Sequence, residues 1–193
     1  MILTKFLVVG LGNPDEKYLN TYHNVGFNAV NHFAKTLNIC FDKGECRALT
    51  AHTKTESAKV ILAKPITYMN LSGESVRELV NKYKIEQPHC IIVYDDADLP
   101  LGKIKICRDG SGGSHNGMLN VIQNMGTQDI YRLRVGIGRP SEENMALMDY
   151  VLSKVSEQAS LALNQAYITA AKALNDFCNG KPIDYLMLNY NHK

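Results

Sequence analysis

No apolar run in this 193-residue sequence reaches the roughly 18–20 residues that would span a bilayer. The opening "MILTKFLVVGLGNP" carries one Lys and a short apolar run that ends in a turn, so it reads as a first strand and not as a signal peptide. Cysteine is present five times (Cys40, Cys46, Cys90, Cys107, Cys178), an odd number with no C-x-x-C pair. That speaks against a disulfide framework and against a short-spaced zinc site, and the expectation is reduced thiols in a cytoplasmic protein. Strong charge is also missing. A net +2 does not mark the chain as a basic nucleic-acid binder. There is no internal repeat, low-complexity tract or linker, so residues 1–193 are expected to form one domain. No Ser or Cys stands in a nucleophile elbow, and "GKPI" is not a phosphate loop.

What the sequence does contain is alternation. "KFLVVG", "CRALTAHTK", "KVILAKP", "CIIVYDD", "GKIKICR" and "RLRVGIG" read as strands. Helical spacing predicts helices over "NVGFNAVNHFAKTL", Ser72 to Tyr83, Asn116 to Met125 and Ser156 to Cys178, with Asn24 and Ser72 as N-caps. Strands alternating with helices give an α/β class. Apolar strands beside alternating ones give a twisted mixed β-sheet with helices packed around it.

Groups capable of chemistry gather just beyond the predicted strands. Gly10 and Gly12 follow a strand as in a dinucleotide fingerprint, but residue 15 is Asp and no acid lies near residue 30, which argues against that cofactor. Asn13 then stands as an amide above a buried strand. Met69 and Asn70 follow another strand. Asp95 and Asp96 end a third, either as a Mg²⁺-binding pair or as a turn. "DGSGGSHNG" delivers His115 and Asn116 to a helix start. A lone His23 would ordinarily be structural. With Asp95 on one imidazole nitrogen, it becomes a base with its orienter. Four such placements suggest the rim of one site that activates water. Between Lys103 and Arg139, six basic residues (Lys103, Lys105, Arg108, Arg132, Arg134, Arg139) face only Asp109 and Asp129 in sequence, forming either a basic face or a solvated strand edge.

Taken together, "VGLGNP", "Y…HNVGF", "KPITYMNLSG", "YDDADLPLGKIKI", "GGSHNG" and "GTQDIYRLRVGIGRP" resemble the bacterial peptidyl-tRNA hydrolase family over residues 8 to 140. The resemblance implies a monomeric, cytoplasmic α/β enzyme, with no cofactor and no metal, whose partner is peptidyl-tRNA. It would cleave the ester between peptide and tRNA and so recycle tRNA from prematurely released peptidyl-tRNA. It implies His23 as general base, Asp95 as its orienter and Asn13 as holder of the carbonyl or oxyanion. Tyr18, Met69, Asn70, His115 and Asn116 are implied on the substrate. Arg134 is implied on tRNA phosphate. Its usual basic partner aligns with Cys107, so Lys105 or Arg108 is the expected substitute. Tyr22, Asp15 and Tyr94 also depart from the family pattern. A non-catalytic RNA-binding relative and a metal hydrolase using His23, Asp95 and His115 are the competing readings.

Overall fold

The computed structural model describes residues 3–55, 58–140 and 145–191. Seven strands form one sheet: β1 (Thr4–Gly10), β2 (Lys43–Glu45), β3 (Ala48–Lys54), β4 (Ala58–Pro65), β5 (Cys90–Asp96), β6 (Ile104–Cys107) and β7 (Tyr131–Gly136), in the order β2-β3-β4-β1-β5-β7-β6. β4, β1, β5 and β7 run parallel, while β3 joins β4, β2 joins β3 and β6 joins β7 antiparallel. The mixed sheet expected from the sequence is therefore present. Its central strands read as unbroken apolar runs because both faces are covered; every residue of β5 is buried. β6, at an edge, alternates buried and exposed at its first three positions.

Six helices cover the sheet: α1 (Val25–Thr36), α2 (Ser72–Tyr83), α3 (Asn116–Met125), α4 (Leu147–Leu152), α5 (Glu157–Cys178) and α6 (Ile183–Tyr190). One core packs α1, α5 and α6 against Val8, Val93 and Leu133. The other packs α2 and α3 against Leu7, Val9 and Ile92. Consecutive residues of the central strands β1 and β5 thus feed opposite cores.

Two expected caps are corrected. Ser72 is the first residue of α2 and its hydroxyl donates to the Met69 carbonyl, because a short turn over Met69–Leu71 already leads into the helix. Asn24 precedes α1, but its side chain bonds elsewhere. Ser156 does cap α5, its Oγ accepting from the Ala159 N–H.

A close approach of backbones sets the height of the site. A Cβ on Gly26 would lie 2.4 Å from the Val93 carbonyl oxygen and 2.5 Å from that of Leu11. A Cβ on Gly10 would lie 2.3 Å from the Gly26 oxygen. With no side chain at either position, the start of α1 rests directly on β1 and β5. The helical turn Tyr22–Asn24 then sits over the carboxyl ends of the parallel strands, where open α/β sheets bind ligands.

Candidate active site

Asp95, 3 % exposed at the end of β5, receives two neighbouring histidines whose ring centroids are 5.0 Å apart. His23 Nδ1 lies 3.0 Å from both carboxylate oxygens. His115 Nε2 lies 3.0 Å from Oδ1. The proton positions follow from the partners. His115 is the N-cap of α3 and its Nδ1 accepts the Met118 N–H at 3.0 Å, so in the neutral ring the proton is on Nε2 and points at Asp95. His23 likewise donates from Nδ1, which leaves its Nε2 with an unshared pair. Burial opposes a charged His23, but the charge and hydrogen bond of Asp95 outweigh it and hold the imidazole pKa above its ordinary value. Burial alone would raise the Asp95 pKa; the charges and hydrogen bonds of the two histidines reverse this and hold it well below the carboxylate range.

Asn13, 6 % exposed, is fixed from both sides. Its Oδ1 accepts the Met69 N–H at 2.9 Å, which assigns the amide and leaves Nδ2 as a donor. The Asn24 side chain clamps the Asn13 backbone, accepting from its N–H at 2.8 Å and donating to its carbonyl at 3.0 Å. The loops after β1 and β4 are therefore locked to each other and to the His23 turn. Met69 packs under the α3 start, where a Cβ on Gly117 would lie 2.4 Å from its sulfur.

These groups line a cleft of about 960 Å³. Tyr18, Asn70 and Asn116 stand along it, half-buried or exposed, so the amides of Asn70 and Asn116 are open to a ligand. Leu147, Met148, Val151 and Leu152 of α4 supply an apolar wall. That wall is strapped to the segment before His23: Thr21 bridges Lys154, the Tyr22 N–H donates to Ser153, and Tyr22 stacks on Tyr150 at 4.6 Å. The glycine loop forms another side. Arg132, 2 % exposed, donates to the carbonyls of Gly110, Ser111 and Gln128.

The expected basic face is largely internally paired. Arg108 pairs with Asp184, Arg134 with Asp96 and Arg139 with Asp98, and Arg132 is spent on carbonyls. The balancing acids lie outside the interval read in sequence, at the end of β5, in the turn after it and in α6. Lys105 is exposed and lies directly across from Arg134 in the β6–β7 register. Asp95 and Asp96 do not form a divalent-ion pair: consecutive strand residues diverge, and the two carboxylates take different partners. His115, expected on the substrate, has both ring nitrogens engaged within the protein.

Asn24 and Arg132 are the two site-building residues that sequence reading assigned elsewhere, to a cap and to a surface. For Arg132, a charge in an otherwise buried stretch of β7 was the available signal.

Fold and site together define an α/β enzyme of the hydrolase class. The family model described as peptidyl-tRNA hydrolase matches residues 7–193. Peptidyl-tRNA hydrolase of Shouchella clausii is 41% identical over 185 residues, covering 96% of this chain and 99% of that protein. Its counterpart from Bacillus cytotoxicus is 43% identical over 173 residues, covering 90% and 92%. The crystal structure of peptidyl-tRNA hydrolase from Acinetobacter baumannii superposes with a TM-score of 0.90 at 28% identity, covering 100% of this chain and 97% of that one. A methylthioadenosine/S-adenosylhomocysteine nucleosidase from Helicobacter pylori, 8% identical with a TM-score of 0.54, shares the fold alone. The chain belongs to the peptidyl-tRNA hydrolase family.

Proposed function

We propose that this enzyme hydrolyses the ester between the peptide and the terminal ribose of tRNA by general-base activation of water. His23 Nε2 takes a proton from a water as its oxygen attacks the ester carbonyl carbon. Asn13 Nδ2 donates to the oxygen that gains negative charge. On collapse of the tetrahedral species the ester C–O bond breaks, and the His23 imidazolium returns its proton to the departing ribose oxygen. Asp95 keeps His23 in the required tautomer and stabilises the imidazolium. Asn70 and Asn116 hold the peptide backbone along the cleft, Tyr18 and Met69 shape it, and His115 acts through Asp95. Arg134, with Lys105 across from it in the β6–β7 register, takes tRNA phosphate, while Arg108 is held by Asp184. The protein works as a cytoplasmic monomer that recycles tRNA from prematurely released peptidyl-tRNA.

The observation that carries this reading is the pairing of His23 Nδ1 with both oxygens of a buried carboxylate, which leaves Nε2 as the basic atom. A base of this kind contributes about 10²–10⁴-fold, and one oxyanion donor about 10²–10³-fold. An ester, with its good leaving group, needs little more than these and a positioned water.

His23, Asp95 and His115 offer ligand atoms within 4.8 Å of one another, which is the case for a metal hydrolase. His23 Nδ1, His115 Nε2 and the Asp95 oxygens are already hydrogen-bonded inside the trio. An ion would have to displace these bonds and strip the Nε2 proton from His115. Full activity after chelation and dialysis is the expected result; loss restored by a divalent ion would favour the metal.

The deciding experiment is hydrolysis of N-blocked aminoacyl-tRNA by wild type and His23→Ala. Turnover should fall by at least about 10² while tRNA binding persists. His115→Ala should cost much less than His23→Ala. Undiminished turnover in His23→Ala would overturn the mechanism and leave an RNA-binding role.

A further inference from the structure

Asp96 is a buried carboxylate for which the hydrolytic scheme has no use. It is adjacent to Asp95, but the strand turns it toward β7, where it lies two register positions beyond Tyr94, the residue beside Arg134. Its Oδ1 accepts the Asp98 N–H at 2.8 Å, which fixes the carboxylate plane. Its Oδ2 and Arg134 Nε form an ion pair in which the Nε–H does not point along a hydrogen bond to Oδ2, with the Asp96 side chain 7 % exposed and that of Arg134 27 % exposed.

A guanidinium presents five N–H groups in a planar fork, so one carboxylate beside it leaves donors for a second anion. Among the described residues Asp96 is the one carboxylate paired with Arg134. Arg132, the other arginine lining the cleft, is buried and bonded to loop carbonyls. Cys107, across from Arg132 in the register, reaches the Arg134 side chain but brings no formal charge. Among the described residues, Arg134 is thus the one cleft arginine with a partly exposed side chain, and Asp96 is the carboxylate that pairs with it.

We propose that Asp96 is a positioning residue for tRNA recognition: its buried carboxylate pairs with Arg134 and holds the guanidinium where it can take one backbone phosphate. The inference rests on the reading of Arg134 as a phosphate contact and extends it. Lost rotamer freedom is a large part of what an arginine gives up on binding, and here the anchor removes it in advance. Asp96 lowers the net charge of the site, so a mere counter-ion would weaken tRNA binding. A positioning residue strengthens it, and the two roles predict opposite signs.

The test is the dissociation constant of deacylated tRNA across about 50–200 mM salt, for wild type, Asp96→Asn, Arg134→Ala and the double variant. Asp96→Asn is expected to weaken binding about five- to tenfold, and to reduce the slope of log affinity against log salt by about 0.9, the value for one phosphate contact on a duplex. The double variant should bind no more weakly than Arg134→Ala alone. Asp96→Glu, which keeps the carboxylate, should recover part of the loss and controls for folding. Tighter binding by Asp96→Asn, or losses that add in the double variant, would overturn the inference. If Arg134→Ala weakens binding and Asp96→Asn does not, the inference falls and the phosphate contact stands. If Arg134→Ala binds like wild type, the phosphate reading falls with it.

Discussion

At the scale of single residues, the centre of the site is one carboxylate shared by two imidazoles. Its effects on stability and on catalysis have different pH windows. The His23 pKa is raised in the folded state, so its bond to Asp95 stabilises most below the ordinary histidine value and fades as pH rises through the folded value. The Asp95 pKa is depressed, so that contribution is present above the ordinary carboxylate range and is lost as pH falls through the folded value. As the proposed general base, His23 must be unprotonated. The acid limb of kcat/KM is therefore expected above about pH 6.5, the free-imidazole value, and Asp95→Asn should move it to lower pH while slowing turnover. A pH–rate profile of both proteins checks this; an unmoved limb would separate Asp95 from His23. His23 and Asp95 were legible in sequence because a base and an acid are recognised by type. Asn24 and Arg132 were not, because their roles lie in the backbone groups they hold, 11 and about 20 residues away along the chain.

At the scale of elements, the pattern of apolar residues located β1, β3 to β7 and four helices, and α3 spans Asn116–Met125 as expected. The β2–β3 hairpin gave no signal. Its turn residues Cys46 and Arg47 both have positive φ, 49° and 53°, positions usually marked by Asn-Gly. Arg47 occupies one because its side chain reaches Glu74 and Glu78 of α2, a tertiary reason invisible to local reading. α4 and α6 were missed as helices because they are short, six and eight residues, and too brief for a period to show. The element contact with most leverage is α1 on β1 and β5. Gly26→Ala forces a methyl into two carbonyls and should lower stability by about 1–3 kcal/mol or more, moving His23 off Asp95. Gly44→Ala, with open space around it, should stay within about 0.5 kcal/mol. Urea midpoints and turnover of the two variants make the comparison. Equal effects would remove the close approach as the device that sets the site.

At the scale of the whole molecule, one sheet divides two apolar cores and belongs to both. Neither half can lose its strands without stripping the other, so unfolding is expected as a single transition. Calorimetric and van't Hoff enthalpies should agree, and two resolved transitions would show separable units. The long-range charge pattern is also a property of the whole. Arginines clustered in sequence find their acids at the end of β5, in the turn after it and in α6, which is why the local charge count overstated the basic face.

The site also has an order of arrival. Its groups come from positions 13, 23, 69, 95 and 115 of a 193-residue chain. During synthesis His23 emerges early, but its ring has no carboxylate to fix it until β5 follows, and that carboxylate lacks its second donor until the glycine loop has left the ribosome. Through the first half of its own translation the chain is itself a peptide esterified to tRNA, and it carries the proposed base, His23, without the carboxylate that orients it. The scattering of the site along the sequence delays the chemistry until the molecule that controls it is mostly built.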